Sequence, residues 1–145
     1  KLRTDERVVC MERTNIRYVT PEDIGEKLDF ASIDVSFISL RTIMPAVKEL
    51  LKDNGSVVAL IKPQFEAGKE LVEKGGVVKD KKTHELVIMK VLACIRDLGY
   101  IVKGLTYSSI KGPAGNIEYL VWLATEGEDI EISISDIVDS AHKNL

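Results

Sequence analysis

The sequence predicts an α/β domain on a mostly parallel sheet, with helices on both faces and an antiparallel return at the carboxyl end. Three observations predict it. Strand-like apolar runs alternate with two segments of helical period. The run Val57 to Ile61 is apolar at consecutive positions, which reads as a strand buried on both sides. The last two strand-like runs are joined only by "SIKGPAGN", too short for a crossover helix, so they must pair antiparallel.

Each element has a local reason. "RVVCME" is rich enough in valine to predict a short first strand. The polar connection "RTNIRYVTPEDIGEK" follows, in which Thr20 and Pro21 open a brief helix. "LDFASIDVSFISL" supplies a second strand around Phe30 to Val35, with Asp34 near its end. In "RTIMPAVKELLKDNG" the apolar residues Ile43, Met44, Val47, Leu50 and Leu51 form a helical stripe, and Gly55 is expected to cap its carboxyl end. "SVVALI" is the third strand, stopped at Lys62 and Pro63. Residues 62–82 carry six lysines against four acids without a long periodic segment, and are expected to form a long loop. "THELVIMKVLACIRDLG" is a second helix, with Thr83 as its cap and Gly99 as its stop. "YIVKGLTYS" and "IEYLVWLA" are the antiparallel pair, with Trp122 read as core. "EDIEISISDIVDSAHKNL" ends as an extended stretch and a short helix capped by Ser135.

Composition narrows the class. At 145 residues, 45% hydrophobic, 30% charged and net charge −3, the chain suits one domain with its own core. Cys10 and Cys94 lack metal-ligand or CxxC spacing, so buried thiols in a reducing, cytoplasmic compartment are expected, and no metal site. No apolar run approaches the about 20 residues of a membrane span, so no membrane partner is expected. The acidic balance argues against strong RNA binding by this chain alone. Beginning at Lys1 in the polar "KLRTDER", the sequence is expected to be part of a longer protein.

Right-handed crossovers bring the carboxyl ends of parallel strands to one edge of the sheet. Asp34 and Lys62 stand at such ends, and Glu118 begins a strand running the other way, so the three converge on one rim. Ligands and catalytic groups collect at that edge. His84 and His142 are expected on helix surfaces. The plain reading of the rim is a structural ion pair in a non-catalytic α/β interaction module.

The motifs "DVSFISL", "LIKPQFE" and "GPAGNIEYL" together resemble the FtsJ-like ribose 2′-O-methyltransferases, in the hemolysin A-like (TlyA) branch, and the resemblance covers essentially the whole chain. It implies a Rossmann-like S-adenosylmethionine-dependent methyltransferase fold and 2′-O-methylation of ribose in ribosomal RNA. By motif position it assigns Asp34, Lys62 and Glu118 to the catalytic set. It places Thr14 and Asn15 at the adenine of the cofactor, with Asp34, Ser36 and Phe37 lining the same pocket. Thr14 and Asn15 also read as a simple turn, and Phe37 as core. Lys111 is a candidate RNA-phosphate contact.

The branch also carries an amino-terminal S4-type RNA-binding domain, a first catalytic lysine and a glycine-rich cofactor loop, none of which is found in residues 1–145. These residues are therefore expected to form a single partial methyltransferase domain without its first strands, inactive alone and reaching ribosomal RNA through the parent enzyme. The second strand would then expose an edge, covered either by "RVVCME" or by a second copy, with a homo-oligomer favoured. A lysine accepts a proton readily only where burial or a second cation weakens its hold on one. Two carboxylates act the other way, so Lys62 is expected to be charged here and paired with Asp34 or Glu118. Because members of the branch are named hemolysins, a membrane-active protein is the alternative from another class, but neither predicted helix is basic and amphipathic in the way that role requires.

Overall fold

Alternation along the strands decides which side of the sheet is covered. The computed structural model describes residues 1–145, with strands β1 (Leu28–Ile33), β2 (Leu51–Ile61), β3 (Ile101–Tyr107) and β4 (Tyr119–Ala124) in the order β1-β2-β4-β3. β1 and β2 are parallel, while β4 runs antiparallel to both of its neighbours. Val57, Ala59 and Ile61 of β2, Val102 of β3, and Tyr119, Val121 and Leu123 of β4 are all buried. Three helices pack on that face: α2 (Leu40–Leu50), α4 (Lys81–Asp97) and α5 (Ile134–Asn144). Met44 and Val47 of α2, Ile88, Val91 and Ile95 of α4, and Val138 and Ala141 of α5 join the strands in one apolar core. Burying each of the larger of these side chains contributes about 1.5–3 kcal/mol.

The other face carries no helix, which corrects the expectation of helices on both sides. Trp122 lies on it, 49% exposed, and so is not core. Its neighbours in β4, Val121 and Leu123, take the covered side, because successive side chains in a strand point to opposite faces. Phe30 is exposed on the same open face.

Several predicted boundaries move for identifiable reasons. "RVVCME" is irregular, with Val9 and Cys10 exposed, because strand propensity without a ladder partner makes no strand. It leaves the outer edge of β1 unpaired. Of the two thiols expected to be buried, Cys94 is only partly so. Gly55 lies inside β2 and caps nothing: α2 ends directly on Leu51, the first residue of β2. The glycine is needed there because a Cβ would stand 3.0 Å from both the Leu51 Cβ and the Lys52 carbonyl oxygen. α4 begins after Asp80, and Thr83 sits one turn in, donating its hydroxyl to the Asp80 carboxylate at 3.0 Å. α5 is capped at Ser133, with Ser135 inside the helix.

Other local readings hold. Thr20 and Asp23 form a reciprocal capping box on α1 (Pro21–Ile24), with Pro21 in the first turn. Gly99, at φ 94°, closes α4 with its N–H on the Arg96 carbonyl. The segment 62–82 contains the single turn α3 (Pro63–Glu66) and a 3₁₀ turn over Lys69–Leu71.

Candidate functional site

Register places the three ionisable residues of the rim. Ile61 of β2 pairs with Tyr119 of β4, so Lys62 and Glu118 flank the last rung of that ladder on the two chains. Ile33 of β1 aligns with Ala59, and Asp34 follows it. Ile61 and Tyr119 turn toward the helices, and the alternation of the pleat carries Lys62 and Glu118 the other way. The Lys62 ammonium forms an ion pair with the Asp34 carboxylate and lies 3.4 Å from the Ser36 hydroxyl. Lys62 is 7% exposed, whereas the Asp34 side chain is 70% exposed. The pair thus has a buried cation and a carboxylate open to an incoming ligand.

Pro63 begins α3, with its fixed φ already suited to a first helical turn. That turn sends two side chains back to the rim. Gln64 donates its amide N–H to the buried Glu118 carboxylate at 2.8 Å. Glu66 accepts from the Ser39 hydroxyl at 2.5 Å and from the Leu40 N–H at 2.8 Å, so it fastens α3 to the start of α2. Burial pushes the Glu66 carboxyl above the usual carboxylate range, against those two bonds and the nearby Arg41 guanidinium. Gly112 passes close under Glu118: a Cβ there would stand 2.2 Å from the Glu118 Oε2.

The remaining sequence-assigned residues are not gathered in one pocket with this centre: Thr14 and Asn15 line a separate cleft with Arg13, Tyr18 and Asp23, and Lys111 lines another. Thr14 donates its hydroxyl to the Glu12 carbonyl, and Asn15 caps the 3₁₀ turn Ile16–Tyr18 by accepting the Arg17 N–H at 3.1 Å. Ile16, the next residue, borders a different cavity of about 290 Å³ that Asp34 and Val35 also line, and neither Thr14 nor Asn15 lines it. Phe37 is not core. It is 89% exposed, sits at φ 62°, and its ring centroid lies 4.8 Å from that of Phe65. Lys111 is exposed beside Gly112, facing a cleft of about 340 Å³ shared with Lys79 and His142.

Sequence reasoning missed three supporting residues. Gln64 and Glu66 lie within the quoted "LIKPQFE", and Asn116 within "GPAGNIEYL", but nothing in residue type alone assigns them partners. Asn116 is buried, accepts the Val78 N–H at 3.0 Å, and donates to the carbonyls of Gly76 and Pro113. His84, expected on a helix surface, is 1% exposed. Its ring nitrogens bond the Tyr119 hydroxyl at 2.8 Å and the Val78 carbonyl at 2.7 Å. Burial lowers the His84 pKa below its usual value, with the neighbouring His142 acting in the same direction.

A family model described as "FtsJ-like methyltransferase" matches residues 1–125. The chain belongs to the FtsJ-like methyltransferase family. This FtsJ-like chain is 42% identical over 144 residues to the 16S/23S rRNA (cytidine-2′-O)-methyltransferase TlyA of Mycobacterium tuberculosis, covering 99% of the chain and 53% of that protein. It is 40% identical over 121 residues to Hemolysin A of Brachyspira hyodysenteriae, covering 83% of the chain and 50% of the relative. A solved structure from Streptococcus thermophilus, provisionally named a hemolysin, is 49% identical with a TM-score of 0.92, over 99% of this chain and 53% of that one. The chain spans about half the length of the curated relatives it matches.

S-adenosylmethionine is the cofactor of the FtsJ-like methyltransferases. The exposed Asp34 carboxylate, an acceptor beside a cavity lined by ten apolar residues and Ser32, suits a ligand that presents hydroxyl or amine donors on one side and a hydrocarbon or ring surface on the other, as S-adenosylmethionine does. No helix of the chain is long and apolar enough to cross a membrane.

Proposed function

We propose that this chain forms the carboxyl-terminal part of a methyltransferase domain that transfers a methyl group from S-adenosylmethionine to the 2′-hydroxyl of a ribose in ribosomal RNA. The observation that carries this reading is the Lys62–Asp34 ion pair at the rim, with the Glu118 carboxylate across the last rung of the sheet. Ribose methylation requires a hydroxyl to be aligned and relieved of its proton as the oxygen attacks, and S-adenosylmethionine when bound supplies the methyl group. Lys62, buried and paired with Asp34, stabilises the developing alkoxide as an ammonium; it would take the hydroxyl proton at its Nζ only as a free amine, which needs a second cation from outside this chain to outweigh Asp34. Glu118 orients the hydroxyl. Asp34, Ser36 and Phe37 would hold the cofactor end of the pocket, with Thr14 and Asn15 at the adenine. Phe37, exposed over Phe65, offers a ring for stacking a base or the adenine.

The names of the relatives support ribosomal RNA as the substrate, and the cytoplasm as the compartment where that RNA is found. The segments beyond residues 1–145 would supply the rest of the cofactor pocket and most RNA affinity, with Lys111 adding a phosphate contact from this part. On this reading the 145-residue chain alone transfers no methyl group.

The test is incorporation of labelled methyl from S-adenosylmethionine into ribosomal RNA by the longer protein carrying this chain. Substituting Lys62→Ala is expected to lower turnover by about 10²–10⁴-fold with little change in melting temperature. A Lys62→Ala protein that melts lower but turns over normally would show the lysine to be a structural ion-pair partner only.

A further inference from the structure

The Glu118 carboxylate is held from two sides, and one of the groups that holds it is left with an unused acceptor. Gln64 donates Nε2–H to Glu118 Oε2 at 2.8 Å. The opposite amide orientation would aim its carbonyl oxygen at a carboxylate, so the charge of Glu118 fixes which way the amide faces. Gly112 supplies the other side, since any side chain there would overlap the carboxylate. Fixing the amide in this way leaves Gln64 Oε1 buried without a hydrogen-bond donor, alone among the buried side-chain nitrogen and oxygen atoms of the chain. A buried acceptor without a donor costs about 1–3 kcal/mol, so the bond to Glu118 is kept at the expense of the other end of the same amide.

We propose that Gln64 is the positioning residue of Glu118, holding its carboxylate in one orientation at the rim. This rests on the ribose-methylation reading above. Gln64 locks Glu118 in the rotamer that presents its second oxygen, Oε1, to the incoming ribose hydroxyl. Pro63 is part of the device: it starts the turn that returns Gln64 toward the strand opposite Lys62.

The experiment uses the longer protein carrying this chain, with substitutions Gln64→Met and Gln64→Glu. Gln64→Met keeps the bulk and removes both polar functions. Its kcat is expected to fall about tenfold or more, with the KM for RNA and the affinity for S-adenosylmethionine unchanged. Gln64→Glu keeps the shape but sets two carboxylates at hydrogen-bond distance. Its kcat is expected to be lowest near neutral pH and to recover as the pH is lowered and the two come to share a proton, a profile that a loss of packing does not produce. A wild-type kcat in Gln64→Met would overturn the proposal.

A second readout does not depend on activity. The Gln64 side-chain amide proton, engaged with a carboxylate, is expected downfield of free glutamine amides in the NMR spectrum and to return to them in Glu118→Ala. An unchanged resonance in Glu118→Ala overturns the clamp. A wild-type protein that methylates no RNA, yet shows that NMR shift, would end the ribose reading and leave the clamp standing.

Discussion

His84 is a polar side chain carried into the core because both of its nitrogens find partners there. The Tyr119 hydroxyl and the Val78 carbonyl satisfy a neutral ring completely, one as donor and one as acceptor. A proton added to the ring would face the Tyr119 oxygen inside an apolar cluster, with His142 4.8 Å away between ring centroids. The folded state therefore holds the pKa below the usual 6.5. As pH falls through that value the unfolded chain takes up a proton that the native chain refuses, so stability present above pH 6.5 is lost on acidification. The slope is at most about 1.4 kcal/mol per pH unit from this one group. Urea midpoints measured between pH 7 and pH 5 should fall, and the decline should be shallower in His84→Gln. Equal slopes in both proteins would assign the acid sensitivity to other groups. Nothing in "THELVIMKV" announces this histidine as core, because its partner Val78 belongs to a loop that folds over the helix only in three dimensions. Asp34, Lys62 and Glu118 were legible for the opposite reason: strand ends and strand direction alone bring them to one rim.

At the scale of elements, the connections after β2 and before β4 are irregular but tied together. Asn116 does the tying with three hydrogen bonds from a 2% exposed side chain, joining the Gly76–Val78 segment to the turn that carries Gly112 and Glu118. Replacing it with alanine leaves the Val78 N–H and two carbonyls without that partner, at about 1–3 kcal/mol for each that stays buried. Asn116→Ala is expected to destabilise the fold by about 2–4 kcal/mol. Amide hydrogen exchange should accelerate in residues 73–80 and 111–118 before it does in α4. Uniform acceleration across the chain would show that the two connections are not a separate unit. A second tie lies at the start of α2, where Glu66→Ala removes the acceptor of the Leu40 N–H and a partner of Ser39. In the sequence these segments read only as a long charged loop and a glycine-bearing turn. Their lack of period concealed a pairing that depends on contacts 38 and 40 positions apart. The two long helices and the strand run Val57–Ile61 were readable because each meets its reason for folding within its own span.

At the scale of the whole chain, the sheet is finished on one side only. Phe30 and Trp122 are 53% and 49% exposed on the helix-free face, and the outer edge of β1 offers unpaired backbone groups beside Phe30. The expectation of helices on both faces came from the near-continuous apolar run of β2, whose Val58 and Leu60 are indeed apolar and are only partly covered here. An apolar face next to a free edge favours association, since both the surface and the ladder gain by pairing. The 145-residue chain alone is therefore expected to self-associate with rising concentration in sedimentation velocity. Phe30→Lys should shift it toward monomer by placing a charge on the edge strand. The chain's single tryptophan reports on the same face: Trp122 emission should lie further to the red in the isolated chain than in a longer protein whose additional segments cover the sheet. A chain that stays monomeric at all concentrations, with or without Phe30→Lys, would show that the open face is tolerated by water. Identical Trp122 emission in the short and long proteins would show that the added segments pack elsewhere.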